Sequence, residues 1–151
     1  MALLAFFDGA CEPVNPGGTA SYGIVVFNGV EKIFEDARIV EPLTGRASDT
    51  SNNLAEYAGF AAVLDYLLEQ RRDDEPATIC GDSKLAIEQM SGRWAIRRGM
   101  YVALAQQCLA KMQSFRLRPQ LEWIPRERNT IADVLSKTAL TRIGIASRQW
   151  R

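Results

Sequence analysis

Three short segments rich in apolar residues lie within the first 40 positions, and polar residues, Gly and Pro separate them. The apolar run at 2–7 predicts a buried strand, and the Asp-Gly pair that follows it predicts a turn. Two segments rich in β-branched and aromatic residues come next, at 21–27 and 32–40, with an Asn-Gly pair between them. Because tight hairpins favour Asn-Gly, the three strands are predicted to form an antiparallel meander.

The rest of the chain has the pattern of helices separated by two short strands. Apolar residues recur three and four positions apart in the helical segments, and Gly, Pro or paired acids interrupt them. The predicted helices are 53–71, 83–90, 100–115 and 130–142, and the predicted strands are 77–80 and 119–124. This order predicts an α/β domain with one mixed sheet flanked by helices.

The composition narrows the chemistry that such a domain can carry. The 151 residues include no histidine, which excludes Ser-His-Asp triads, Cys-His pairs and histidine-ligated zinc. Three cysteines without CxxC spacing disfavour a disulfide framework and a zinc knuckle, so we expect a reducing, cytoplasmic location. The apolar start of the chain is too short for a membrane span.

The formal charge is zero, but it is unevenly distributed. Residues 1–90 carry six basic and 15 acidic side chains, whereas residues 91–151 carry 12 basic and three acidic ones. The basic second part is compatible with a polyanionic partner. Scattered solvated charge, or pairing with the acidic part, explains the same numbers, so charge alone leaves both interpretations open.

Four acidic residues lie at the predicted ends of strands and helices: Asp8, Glu56, Asp82 and Asp133. Each has a structural explanation, because acids at such positions open turns or cap helices. Glu56, however, is in line with the apolar stripe of its helix, so its carboxylate is predicted to face the sheet. If the strands ending at positions 7 and 80 are parallel neighbours, Asp8 and Asp82 lie side by side, where open α/β sheets bind ligands.

A cluster of carboxylates favours a particular kind of cation. Neighbouring carboxylates resist joint ionisation unless a positive charge lies between them. An all-oxygen ligand set without His or Cys favours Mg²⁺ or Mn²⁺ over zinc.

The same acids belong to four motifs that follow one another over residues 3–142. The motifs are Asp8-Gly9-Ala10-Cys11 with Asn15-Pro16-Gly17-Gly18, Ser51-Asn52-Asn53-Leu54-Ala55-Glu56, Gly81-Asp82-Ser83 and Asn129-x-x-x-Asp133. In order and spacing they resemble the successive motifs of type 1 ribonuclease H. The resemblance implies the ribonuclease H-like fold, whose five-stranded mixed sheet has three antiparallel strands plus two parallel ones. It also implies an endonuclease that cleaves RNA paired with DNA.

The resemblance further implies how the acids would act. Asp8, Glu56, Asp82 and Asp133 would be catalytic metal ligands that hold two Mg²⁺ ions, with Mn²⁺ as an alternative, on the scissile phosphate. One ion would activate the attacking water and the other would stabilise the departing 3′ oxygen, which gives 5′-phosphate and 3′-hydroxyl ends. Asp8 is expected to contact both ions, and Asp133 to bind one of them more loosely.

Other residues match positions that contact the substrate in this family. Asn52 and Asn53 resemble the paired asparagines that hydrogen-bond base edges in the minor groove, and the loop 11–15 resembles the stretch that contacts RNA 2′-hydroxyl groups. The implied substrate-binding set is Gly9, Cys11, Asn15, Ser51, Asn52, Asn53, Lys84, Arg93 and Trp94. For the polar loop residues a turn or cap hydrogen bond is the alternative, and for Trp94 it is core packing.

The chain departs from many family members in the loop before Asp133. Where they carry a histidine, this chain has Arg126, in a Pro-Arg-Glu sequence that resembles archaeal-type members. Because arginine keeps its proton at any working pH, we expect Arg126 to steady phosphate charge rather than to shuttle a proton. One residue is also inserted between Cys11 and Asn15 relative to common bacterial members.

The sequence therefore predicts a ribonuclease H domain at 1–142 and a C-terminal tail at 143–151, acting as a monomer on RNA/DNA hybrids. A nuclease of the same fold that acts on DNA junctions or on double-stranded RNA is one alternative. The Asn52-Asn53 pair argues against action on DNA alone, and double-stranded RNA stays open. A non-catalytic binding module is disfavoured by the presence of all four acids, and an unrelated metal-binding phosphatase is the last alternative.

Overall fold

A computed structural model describes residues 2–42, 44–46 and 49–145, which form five strands and four α-helices. The bounds are β1 Leu3–Glu12, β2 Thr19–Asn28, β3 Glu31–Val40, α1 Asn52–Glu69, β4 Ala77–Gly81, α2 Lys84–Met90, α3 Val102–Gln113, β5 Gln120–Trp123 and α4 Thr130–Thr141. A single 3-10 turn, Arg126–Arg128, precedes α4. Every predicted element is present, and apart from β1 the ends differ from prediction by no more than two residues.

The strands form one mixed sheet in the order β3-β2-β1-β4-β5. β2 is antiparallel to both β1 and β3, whereas β4 is parallel to both β1 and β5. This topology confirms the predicted meander and the predicted fold class. The parallel pairing of β1 and β4 sets Phe7 opposite Gly81, so the residues that follow them meet at one edge of the sheet.

β1 is longer than the sequence pattern predicts. The strand was expected to end before Asp8, with a turn at Asp8-Gly9, but it runs on to Glu12 and pairs with β2 throughout. That turn prediction was wrong because pairing with a long neighbouring strand outweighs the local turn preference of Asp-Gly. Gly9 is required for another reason, since a Cβ there would lie 2.4 Å from the backbone nitrogen of Glu56.

α1 and α4 cover opposite faces of the sheet. On the α1 face, the rings of Phe7 and Phe60 meet edge to face with their centroids 5.4 Å apart. On the other face, a Cβ at Gly23 would lie 2.5 Å from the backbone nitrogen of Ser136 in α4, so the helix backbone lies directly on the strand. The apolar face of α1 packs against β1, β2 and α3, and its burial there supplies a large part of the core.

The end of the chain, the cysteines and the helix lengths bear on three further predictions. α4 ends at Thr141, and residues 146–151, most of the predicted tail, lie outside the described residues. The three cysteines are buried thiols. Among the described residues, every helix is too short or too polar to cross a lipid bilayer.

Candidate functional site

Three acidic side chains from separate elements meet at the edge of the sheet where β1 and β4 lie side by side. Asp8 lies in β1, Glu56 lies in the second turn of α1, and Asp82 directly follows β4. One carboxylate oxygen from each lies within 4.8 Å of the other two. A group of three carboxylates this compact has the spacing and the chemistry to hold a divalent cation.

The fourth predicted acid, Asp133, lies beside this cluster in the first turn of α4. It lies close enough to Asp8 to help raise the pKa of that carboxyl group. Lys137, one turn further along the helix, donates to Asp133 Oδ2 at 3.0 Å. The fold thus brings all four predicted acids together, although they are separated by up to 125 positions in the sequence.

The acids are not used as helix caps, which was their alternative explanation. Ser51 caps α1, its hydroxyl accepting from the Leu54 N–H at 3.1 Å. Ser83 caps α2 in the same way, accepting from the Ala86 N–H at 3.1 Å. Because these serines satisfy the helix termini, Glu56 and Asp82 are left for another role.

Glu56 is the most constrained of the acids. Its side chain is 4% exposed, in line with the predicted inward orientation. Oε1 accepts a long hydrogen bond of 3.4 Å from the Asn52 amide, and Oε2 is buried without a partner among the described residues. A buried carboxylate oxygen without a donor is costly, and a bound cation would satisfy it.

The pKa values of the clustered acids also favour a bound cation. Burial raises the pKa of Asp8 from 3.8 to about 8, with the charges of Asp82 and Asp133 adding to the effect. Burial also raises the pKa of Glu56, reinforced by the charges of Asp8 and Asp82. The pKa of Asp82 is raised by burial as well, although the Asn129 amide and Arg126 oppose this. The cluster therefore requires protons or cations to offset its charge.

Sequence reasoning assigned no role to Asn129, which the structure places among the acids. The residue is 1% exposed, and its amide donates to the Phe7 carbonyl at 2.9 Å and to Asp82 Oδ2 at 3.3 Å. It therefore ties the start of α4 to β1 and orients Asp82. Its fixed spacing of four residues before Asp133 was the signal that could have identified it.

Cationic and aromatic side chains lie near Asp82. Arg126, in the 3-10 turn, is close enough to lower the pKa of Asp82 and thereby oppose the effect of burial. Trp123 donates its indole N–H to the Asp82 carbonyl at 3.1 Å. The Lys84 ammonium lies 5.0 Å from the centroid of the Trp123 ring, a cation–π distance.

The predicted substrate-contacting residues near α1 form a connected surface beside the acids. Asn15 Oδ1 accepts from the Asn52 N–H at 2.9 Å, which joins the β1–β2 loop to the start of α1. Asn53 is exposed. Cys11 is 1% exposed and paired with Ala20 in the sheet, with its thiol 3.2 Å from the Val14 carbonyl, so the structure does not support the predicted substrate contact of this residue.

Arg93 and Trp94 lie apart from the acids. They follow the C-terminal end of α2, about 10 Å along the helix axis from its start next to Asp82. Trp94 is 46% exposed, which disfavours the core-packing alternative. Arg93 makes a two-pronged ion pair with Glu88, at 2.7 and 2.9 Å.

Comparisons with known proteins agree with this geometry. The family model described as reverse transcriptase-like matches residues 6–139. The bifunctional protein Rv2228c of Mycobacterium tuberculosis is 36% identical over 126 residues, which is 83% of this chain and 32% of that protein. The chain thus spans about a third of the length of these curated relatives.

Solved structures give the same picture. The N-terminal RNase H domain of Rv2228c from Mycobacterium tuberculosis is 35% identical with a TM-score of 0.80, covering 93% of this chain and 94% of that one. RNase H1 from the halophilic archaeon Halobacterium salinarum is 28% identical with a TM-score of 0.74, covering 94% and 99%. LC11-RNase H1, solved in complex with an RNA/DNA hybrid, shares the fold at 22% identity and a TM-score of 0.80, covering 93% and 98%.

Proposed function

The chain belongs to the reverse transcriptase-like family and, within it, to type 1 ribonuclease H, and on this premise we propose that it is a nuclease that hydrolyses the RNA strand of RNA/DNA hybrids. The observation that carries the proposal is the meeting of Asp8, Glu56 and Asp82 within 4.8 Å, with Asp133 beside them. The complex of LC11-RNase H1 with a hybrid supports the choice of substrate. Monomeric action in the cytoplasm stays a prediction.

The proposed cofactor is a pair of Mg²⁺ ions, with Mn²⁺ as the alternative. The donors are all carboxylate oxygens, and Glu56 Oε2 is buried without a partner among the described residues. Asp8, Glu56 and Asp82 would hold the ions, and Asp133 would complete the ligand set. When bound, the ions would lower the pKa of the attacking water and offset the charge on the departing 3′ oxygen, leaving 5′-phosphate and 3′-hydroxyl ends.

The residues around the acids would hold the substrate and fix the geometry. Asn129 would keep Asp82 in place through its amide, because that carboxylate otherwise has freedom to rotate away. Asn52 and Asn53 would present amides to the minor groove, with Asn15 fixing the backbone of Asn52. Lys84 would place its charge near the substrate while resting on the Trp123 ring.

A panel of labelled duplexes tests this proposal. We expect cleavage of the RNA strand of an RNA/DNA hybrid with Mg²⁺ or Mn²⁺, and no cleavage of a DNA duplex or of single strands. Cleavage of double-stranded RNA as well would extend the substrate range without changing the chemistry. Turnover of mononucleotides without hybrid cleavage would instead favour the phosphatase alternative.

Arg126 provides a second test, because its charge lies close to Asp82. We expect Arg126→Ala to lower kcat on the hybrid about 10–100-fold, since a fixed cation near the reacting phosphate is lost. Arg126→Lys should recover part of the loss. Single-turnover kinetics measure the effect, with Arg142→Ala as the matched control on an exposed residue at the end of α4. Unchanged turnover in Arg126→Ala would remove the assigned role.

A further inference from the structure

The segment 92–101 carries a concentration of positive charge but has no helix or strand to hold it. It links α2 to α3, is exposed over most of its length, and contains Arg93, Arg97 and Arg98. A glycine with positive φ lies near each end, Gly92 at 81° and Gly99 at 136°. Backbone hydrogen bonds to the Glu88 carbonyl hold only its first residues, so other contacts set the path of the rest.

One buried side-chain amide contacts the middle and the end of the segment. Gln89, the second-last residue of α2, is 4% exposed. Its Nε2 donates to the Ala95 carbonyl at 3.0 Å, in the middle of the segment, and to the Tyr101 hydroxyl at 3.2 Å, at its end. Its Oε1 accepts from the Tyr57 hydroxyl at 2.6 Å.

The partners of Gln89 connect the segment to the candidate site. Tyr57 is the residue after Glu56, and its ring stacks on Tyr101 with the planes 1° apart and the centroids 5.4 Å apart. α2, which carries Gln89, begins two residues after Asp82. The amide therefore joins the segment to the two elements that present Glu56 and Asp82.

The arginines of the segment differ in whether they form an ion pair within the protein. Arg93 is paired with Glu88 on α2. In the part of the chain that the structure describes, Arg97 and Arg98 make no ion pair, and both are exposed. Two unpaired guanidinium groups on a tethered exposed segment are suited to contact the phosphates of a nucleic acid.

We propose that Gln89 is a positioning residue, which holds the Arg97–Arg98 stretch at a fixed place relative to the carboxylates so that phosphate contacts and the cleavage site stay in register. The inference rests on the proposed function, because it concerns how the protein binds the same RNA/DNA hybrid. The side chain acts through the arginines and does not touch the reacting atoms.

Binding of a short RNA/DNA hybrid, measured by fluorescence anisotropy with Mg²⁺ in the non-cleaving Asp8→Asn background, tests the inference. Removing both arginines, in Arg97→Ala/Arg98→Ala, should lower the slope of log affinity against log salt concentration by about two. Gln89→Met should raise Kd about fivefold and lower the same slope by nearly as much. In the Arg97→Ala/Arg98→Ala background, Gln89→Met should have no further effect on Kd. Gln106→Met, the same change on the exposed face of α3, is the matched control.

Tyr101→Phe is a smaller change that tests the same inference if Gln89→Met does not fold. Gln89→Met leaves the Tyr57 hydroxyl and the Ala95 carbonyl without their partner, which lowers stability. Tyr101→Phe removes one hydrogen bond to the amide and keeps the stacked ring, so it should raise Kd about twofold in the same arginine-dependent manner.

The outcomes separate this inference from the proposed function. An equal rise in Kd with and without the arginines would show that Gln89 only supports the fold, and would overturn the inference. If the wild-type chain binds a hybrid but does not cleave it, the proposed function alone is overturned. The effect of Gln89→Met on Kd, compared with and without the two arginines, would still test the inference. Failure to bind any hybrid would overturn both.

Discussion

Asp8→Asn is expected to abolish hybrid cleavage and, in the absence of divalent ions, to make the protein more stable. Activity should fall by about 1,000-fold or more, because Asp8 is the acid at the centre of the cluster. At pH 9 the free energy of unfolding in EDTA should rise by about 2 kcal/mol or more, because a neutral amide removes a buried charge that the neighbouring acids repel. The amide oxygen can still accept from the Gly9 N–H, now 2.9 Å from Asp8 Oδ1.

Kinetics on a hybrid and urea denaturation measure the two effects. Asp74→Asn is the matched control, since that acid is exposed and precedes β4, whereas Asp82 follows the opposite end of the same strand. It should change neither activity nor stability by much. Loss of activity together with loss of stability in Asp8→Asn would indicate a structural role for Asp8 and count against the metal-ligand assignment.

The stability of the protein without metal is expected to fall as the pH rises from about 4 to about 8. The pKa of Asp8 is raised to about 8, and those of Glu56 and Asp82 are raised as well, mainly by burial. In this range the folded state therefore binds more protons than the unfolded state, and raising the pH removes that stabilisation. We expect a decline of about 1–2 kcal/mol per pH unit in EDTA.

Mg²⁺ should reverse this decline. An ion that binds the folded state adds about 2.7 kcal/mol when its concentration is 100 times its Kd. The gain should be large at pH 8 and small at pH 5, where protons compete for the same oxygens. Urea titrations at both pH values, with Mg²⁺ or EDTA, measure it, and Asp8→Asn should show a much smaller response. A wild-type profile in EDTA that is flat between pH 4 and pH 8 would contradict the proposed repulsion.

Other acids do not mask this behaviour. The hydrogen bond from Thr44 lowers the pKa of Asp49, and Arg116 and Arg93 lower those of Asp73 and Glu88. Groups with a lowered pKa contribute stability that is lost as the pH falls through acidic values. Their effect lies below the window in which the cluster acts.

The sequence pattern was sufficient for the parts of the fold that depend on local preference and on burial. The Asn-Gly hairpin, the amphipathic helices and the inward orientation of Glu56 follow from short-range patterns that the structure retains. The convergence of Asp8 and Asp82 could be predicted as well, because parallel neighbours bring the ends of their strands together. These features require only knowledge of which residues are apolar and where the turns fall.

Features that depend on contacts between distant residues could not be predicted in this way. β1 continues past Asp8 because β2 is long enough to pair with it, and nothing within β1 reveals that. The position of Asn129 depends on a hydrogen bond to Phe7, 122 residues away. Gln89 looks like an ordinary polar residue near a helix end until its three partners are brought around it.

The absence of a side chain at Gly9 sets the distance between β1 and α1, which carry Asp8 and Glu56. Strand and helix backbones touch there, so the separation of the first two acids is set by main-chain dimensions rather than by packing that mutation can adjust. A variant with any bulkier residue would have to displace the whole start of the helix. A change in the metal chemistry of this protein would therefore have to come from the acids themselves and from the groups that orient them, because the contact at Gly9 fixes the spacing between strand and helix.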